Sequence, residues 1–215
     1  MDDAAPLPEP LLDGFRRFRS GRFAEDRERY RALAEHGQRP AAMLIACSDS
    51  RSAPEQVFDA APGDLFVVRN IAGWVPPYDP NTGARSTAAA LEYAIRALPV
   101  EAIVVMGHGG CGGVRAAIDP TYGPPTSEFV GPWIRTIEAI AADARTTPDE
   151  PPSPDLQHRV ELLTVERSVA NLATYPWIAE RIGDGAMTVG GAWFAIATGE
   201  LDALGPGGWT RIDGG

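Results

Sequence analysis

Two cysteines in 215 residues are too few for a disulfide scaffold. In such numbers they are ordinarily small buried hydrophobes. Basic charge is also short: 19 Lys and Arg stand against 29 Asp and Glu, a net charge of −10. That balance speaks against a nucleic-acid partner, because phosphate binding draws on clustered cations. Long apolar runs are missing, and no window approaches the length that crosses a bilayer. The start, Met1-Asp2-Asp3-Ala4-Ala5-Pro6, is acidic and lacks the charged beginning and apolar centre of a secretory signal. A cytoplasmic protein is therefore expected, with both thiols reduced and free to serve a metal. No internal repeat or second domain is evident. A hydrophobic fraction of 44% and a charged fraction of 22% are ordinary for a globular chain, and the length suits one α/β domain.

What is present is concentrated in two short stretches that hold both cysteines. Cys47-Ser48-Asp49-Ser50-Arg51 follows the apolar run Met43-Leu44-Ile45-Ala46. His108-Gly109-Gly110-Cys111-Gly112-Gly113 follows Ala102-Ile103-Val104-Val105-Met106-Gly107. Such runs read as buried parallel strands, and open α/β sheets place their ligand sites at the carboxyl ends of strands. In the first stretch a thiol, a carboxylate and a guanidinium stand at i, i+2 and i+4, so an extended chain turns all three to one side. In the second, Cys111 precedes a predicted helix through Val114-Arg115-Ala116-Ala117-Ile118, whose free N–H groups are expected to favour its thiolate.

Two thiolates and an imidazole suit Zn2+, and a Cys2His set with one position left is the pattern of catalytic zinc. Water or the Asp49 carboxylate could take that fourth position. His36 and His158 lack a matching pattern. Without Asp49 and Arg51 beside Cys47, the Cys and His pairing would be as consistent with coincidence as with a metal.

Cys-Ser-Asp-Ser-Arg followed by His-x-x-Cys-Gly-Gly resembles the β-class carbonic anhydrases, in their plant-like branch. The resemblance runs from about Leu11 to Leu204 and includes Phe66-Val67-Val68-Arg69-Asn70-Ile71, Val75-Pro76-Pro77-Tyr78 and Leu91-Glu92-Tyr93-Ala94. It implies one zinc per chain held by Cys47, His108 and Cys111, with Asp49 and Arg51 as a catalytic dyad. It implies hydration of carbon dioxide to bicarbonate and a proton, with zinc-bound hydroxide as the nucleophile. It nominates Gln38 as a side-chain donor to substrate, Phe66, Ile71 and Tyr93 as pocket walls, and the Gly112 N–H as a partner for a substrate oxygen. Read as residues alone, Phe66, Ile71 and Tyr93 are core packing and Gln38 a loop residue. In the family some walls come from a neighbouring subunit, which implies a homodimer or larger homo-oligomer. Two positions depart from the family pattern: Gly109 stands where Ser is common, and Gly73 where Asn is common. Leu44, three residues before Cys47, stands where a bicarbonate-inhibited branch carries Trp.

The expected fold is α/β: a mainly parallel central sheet flanked by helices, an N-terminal helical arm and a C-terminal edge hairpin. Residues 1–10, rich in Pro, are expected to be flexible, and 11–215 to form one domain that includes the arm 11–36. Gly21 is expected to break the arm into two helices, and Gly37 to close the second. Its aromatics suggest a partner surface, as in the family. Further helices are expected over 53–60, 86–98, 130–144, 157–173 and 177–182. Ser86-Thr87 is a candidate cap. A buried second strand is expected over 65–71 and a last one over 186–196, turning back at Ala197-Thr198-Gly199-Glu200.

Three other functions are compatible with parts of this pattern. A hydrolase of carbon disulfide or carbonyl sulfide would use the same ligands. A non-catalytic zinc or anion-binding module would not need Asp49 and Arg51. A redox dithiol would ordinarily show a Cys-x-x-Cys pair, which the chain lacks.

Overall fold

The computed structural model describes residues 7–81, 85–122 and 127–214; residues 1–6 of the expected flexible start lie outside it. The chain divides into a first unit ending at Gln38 and a second running from Arg39 onwards.

The first unit is helical: α1 (Glu9–Ser20), α2 (Arg22–Glu25) and α3 (Arg27–His36). Gly21 breaks it as expected, and a second interruption at Asp26 makes three helices of two. Phe18, Phe23 and Tyr30 pack on one another with ring centroids 5.1–6.0 Å apart. Leu11 and Phe15 stay exposed.

The second unit is built on a six-stranded sheet of order β2-β1-β3-β4-β5-β6. Its strands are β1 (Ala42–Cys47), β2 (Leu65–Asn70), β3 (Ala102–His108), β4 (Thr188–Phe194), β5 (Leu201–Gly205) and β6 (Gly208–Ile212). β1 to β4 are mutually parallel, while β5 and β6 run antiparallel at one edge. The sheet is therefore mainly parallel, as the apolar runs imply. Two expectations need correcting. β2 is not a buried strand: it is the opposite edge of the sheet, so most of its residues are only half buried. The last expected strand is internal, held between β3 and β5, and the edge hairpin lies one strand later, in β5 and β6.

The helices of this unit are α4 (Pro54–Val57), α5 (Arg85–Ala97), α6 (Gly112–Ile118), α7 (Val130–Ala144), α8 (Pro154–Leu172) and α9 (Pro176–Gly183). α4 is a single turn, shorter than expected. α8 starts earlier than expected because Ser153 caps it through the Leu156 N–H and Pro154 suits its first turn. Ser86 and Thr87 lie inside α5 rather than before it, and the Thr87 hydroxyl accepts from Asn70 instead of capping.

One apolar cluster joins Met43, Ile45, Ile103 and Val105 to Leu91 of α5, Leu172 of α8 and Ile178 of α9. A second gathers Cys47 and Cys111 with Ile137 of α7 and Leu156 and Val160 of α8. α8 spans both, and it lies close to the sheet. A Cβ at Gly107 or Gly191 would come within 2.7 or 2.5 Å of Val165, so two glycines open the space this helix needs. One turn earlier on α8 stands Glu161, beside the carboxyl end of β3.

Candidate metal centre

β1 and β3 are neighbours in parallel register, Ala46 opposite Met106, so Cys47 and His108 end adjacent strands at the same, carboxyl end of the sheet. The loop after β3 brings Cys111 back to them. The Sγ atoms of Cys47 and Cys111 are 3.9 Å apart. One ligand atom from each of Cys47, His108 and Cys111 can be chosen so that all lie within 4.8 Å of one another, and all three residues are buried. Among the described residues no other His, Cys, Asp and Glu side chains form such a group.

This donor set fits zinc. Two thiolates about 2.3 Å from one tetrahedral ion stand roughly 3.8 Å apart, and the observed separation is 3.9 Å. His108 Nδ1 lies 3.0 Å from the Gly109 carbonyl oxygen, which fixes its proton there and leaves Nε2 with a free lone pair. That Nε2 is buried without a hydrogen-bond partner, the condition of a nitrogen kept for a metal.

The contact between the two thiols holds Cys47 below the usual thiol range, helped by the His108 imidazole against the cost of burial. Cys111 moves the other way, first because of that contact and then because it is buried. The N–H groups of Gly113 and Val114 do favour its thiolate, as the sequence leads one to expect. Its neighbour and its burial outweigh them, so the Cys111 thiol is pushed up.

Asp49 and Arg51 stand beside the cluster. Arg51 Nε donates to Asp49 Oδ1 at 2.9 Å and Nη2 to Oδ2 at 2.7 Å, a two-pronged contact. The Arg51 backbone N–H adds a third bond to Oδ1 at 3.0 Å. These bonds hold the Asp49 carboxyl well below the usual carboxylate range. Its Oδ2 is 3.9 Å from His108 Nε2. Arg69, near the end of β2, clasps the same turn from behind, donating through Nε to the Cys47 carbonyl at 2.9 Å and through Nη2 to that of Asp49.

Of the residues nominated as pocket walls, Phe66 and Tyr93 meet each other but lie apart from Ile71. Gly112 opens α6 beside Cys111, and Ile71, partly exposed, packs on Gly113. Phe66 pairs with Met43 in register, four residues before the end of β2 and so about 13 Å along the strand. It stacks on Tyr93 of α5 with centroids 5.9 Å apart, and Tyr93 is half exposed. Gln38 is exposed at the end of the first unit.

Residues 42–201 match the family model described as carbonic anhydrase. Beta carbonic anhydrase 3 of Arabidopsis thaliana is 33% identical over 196 residues, covering 90% of this chain and 75% of that protein. The chain belongs to the β-class carbonic anhydrases. Its plant relative agrees with the plant-like branch. Among solved structures, the β-carbonic anhydrase CcaA superimposes with a TM-score of 0.85 at 30% identity, covering 95% of this chain and 98% of that one. Two tetrameric β-carbonic anhydrases of Sordaria macrospora are represented by a chain with a TM-score of 0.78 at 29% identity, covering 94% and 98%.

As a member of this class the chain explains its own departures. A Cβ at residue 109 would press within 3.2 Å of Trp193 Cζ2, so glycine accompanies the indole that fills this space. Gly73 has φ +62° and would set a Cβ 3.2 Å from the backbone of Ala46, Cys47 and Met106. That crowding selects against any side chain where the two ligand-bearing strands end. Sequence reasoning assigned no role to Arg69, Gln157, Glu161 or Trp193. The last three surround Cys111: its N–H donates to Glu161 Oε1 at 3.0 Å, Gln157 Nε2 donates to its carbonyl at 3.3 Å, and Trp193 Nε1 donates to Glu161 Oε2 at 3.1 Å. The available signal was the spacing of Glu161, Thr164, Val165 and Ser168 on one face of α8, three polar residues on a buried stripe.

Proposed function

We propose that this carbonic anhydrase holds one zinc through Cys47, His108 and Cys111 and hydrates carbon dioxide reversibly to bicarbonate and a proton. The observation that carries the reading is the Cys47, His108 and Cys111 cluster with the Asp49–Arg51 pair at its edge. When bound, zinc supplies Lewis acidity, lowering the pKa of a water from ~15.7 to about 7 or somewhat above.

The chain's own groups do the rest. Arg51 keeps Asp49 ionised and fixes its plane. Asp49, locked as an acceptor, takes a hydrogen bond from the attacking water and turns an oxygen lone pair toward the substrate carbon. That oxygen adds to carbon dioxide, one C=O π pair moves onto oxygen, and the proton passes to solvent. Carbon dioxide and water thus give bicarbonate and a proton, with atoms and charge balanced. The Gly112 N–H, in the first turn of α6 next to Cys111, meets a substrate oxygen in this reading.

Ile71 lines the pocket from within the subunit. Phe66 sits too far along β2 to line it with Ile71, and together with Tyr93 of α5, on which it stacks, it acts as a wall for a second copy. This requires a homodimer or larger assembly, in keeping with the tetrameric Sordaria relatives. Both ligand thiols must stay reduced, which suits the cytoplasm. The decisive assay is stopped-flow hydration of carbon dioxide by zinc-loaded protein, with carbonyl sulfide and carbon disulfide as comparison substrates. Turnover confined to the sulfur compounds would contradict this assignment.

A further inference from the structure

Glu161 is 3% exposed, and no Arg or His pairs with it among the described residues. A buried carboxylate without a cation must be satisfied by hydrogen bonds alone. Three donors do this: the Cys111 N–H and Gln157 Nε2 on Oε1, both at 3.0 Å, and Trp193 Nε1 on Oε2 at 3.1 Å. The loop they hold is two glycines long, and Gly110 lies in the left-handed region at φ +68°. Such a loop has little stiffness of its own. Its two glycines are held besides by the Gly109 N–H on the Phe194 carbonyl, by the Gly109 carbonyl against His108 Nδ1 at 3.0 Å, and by Arg51 reaching the Gly110 carbonyl at 3.4 Å. Gln157 meanwhile holds the opposite end of the Cys111 residue, its carbonyl. One helix face therefore grips the Cys111 backbone by both of its polar groups.

We propose that Glu161, oriented by Trp193 and assisted by Gln157, is a positioning residue that fixes Cys111 Sγ in its ligating place. The inference rests on the zinc reading above and adds to it an unassigned set of supporting residues. What matters is acceptance of hydrogen bonds on both oxygens. An amide at this position could keep its oxygen on the Cys111 side, but its NH2 would then face the Trp193 N–H, donor against donor. Removing the indole N–H should remove that conflict.

The test is a double-mutant cycle on zinc-loaded protein, reading the rate at which a chromophoric chelator takes up Zn2+ and the thiolate-to-metal absorption of the Co2+ form. Supporting groups of this kind typically alter metal affinity 10–100-fold. Glu161→Gln is expected to release zinc about 10–100-fold faster than parent, with weakened cobalt–thiolate bands and an unchanged far-UV spectrum. Adding Trp193→Phe should bring the rate back to within about threefold of Trp193→Phe alone, a positive coupling between neighbours. A Glu161→Gln protein that releases zinc at the parent rate overturns the proposal. So does a double variant that remains as fast as Glu161→Gln. If Glu161→Gln does not accumulate folded, Gln157→Met is read the same way: faster release supports the role, and the parent rate contradicts it. Parent protein that cannot be loaded with metal contradicts the zinc reading itself, a result distinct from any of these.

Discussion

Arg51 meets Asp49 with two nearly parallel hydrogen bonds, 2.9 and 2.7 Å long, while Asp49 Oδ2 stays 3.9 Å from the free nitrogen of His108. The pair therefore separates two jobs. The buried trio could hold a metal ion, and the pair at its edge presents one oriented acceptor.

Arg51→Ala should keep zinc and lose hydration. Asp49 would lose both side-chain bonds and its fixed plane, and misplacement of this kind costs on the order of 10²-fold in rate. Metal analysis and stopped-flow kinetics on one preparation check this. Hydration at the parent rate contradicts the role given to the pair.

The ligands should behave differently. Cys47→Ala, His108→Ala and Cys111→Ala should each lose zinc and activity together, since each removes one of three donors in one cluster. A variant that keeps a full complement of zinc and its activity excludes that residue as a ligand.

Chelation should also lower stability, because metal bound to the folded state alone stabilises it by mass action, about 2.7 kcal/mol at a hundredfold excess over Kd. For a chain of this size that corresponds to a melting shift of roughly 5–10 °C. A melting temperature indifferent to chelator and to added zinc contradicts a folded-state site.

Gly113→Ala tests the packing beneath the site. Its Cβ would stand 2.8 Å from Ile71 Cγ2 and 3.1 Å from Ala72 Cβ, so α6 must shift away from the turn after β2. Overpacking of this kind costs about 1–3 kcal/mol. Urea unfolding measures it, and an unchanged midpoint shows that this contact is looser than described.

Bicarbonate should inhibit without cooperativity. Leu44 is buried on β1, and its side chain has no N–H with which to hold an anion. A sigmoidal inhibition curve contradicts this expectation.

The sheet and the metal trio were legible because their signals are local. Cys47 and His108 each end an uninterrupted apolar run, and Cys111 follows three residues after His108. β6 was not foreseen, although Pro206 and Gly207 join it to β5 through the Gly205–Gly208 pair, a two-residue loop with turn residues. The burial of β2 was overestimated because an apolar run does not say whether a strand has one neighbour or two. Glu161 stayed hidden for a different reason. Its partners Cys111 and Trp193 lie 50 and 32 residues away, and only the fold brings them together. Gly109 likewise looks like a departure until Trp193 is seen filling the space beside it.

The most direct test of the account is zinc content and carbon dioxide hydration measured on the same purified sample. The expected result is about one zinc per chain, with hydration that falls in proportion as zinc is removed and returns when it is restored. Full hydration by metal-free protein, or one tightly held zinc with no hydration at all, would contradict it.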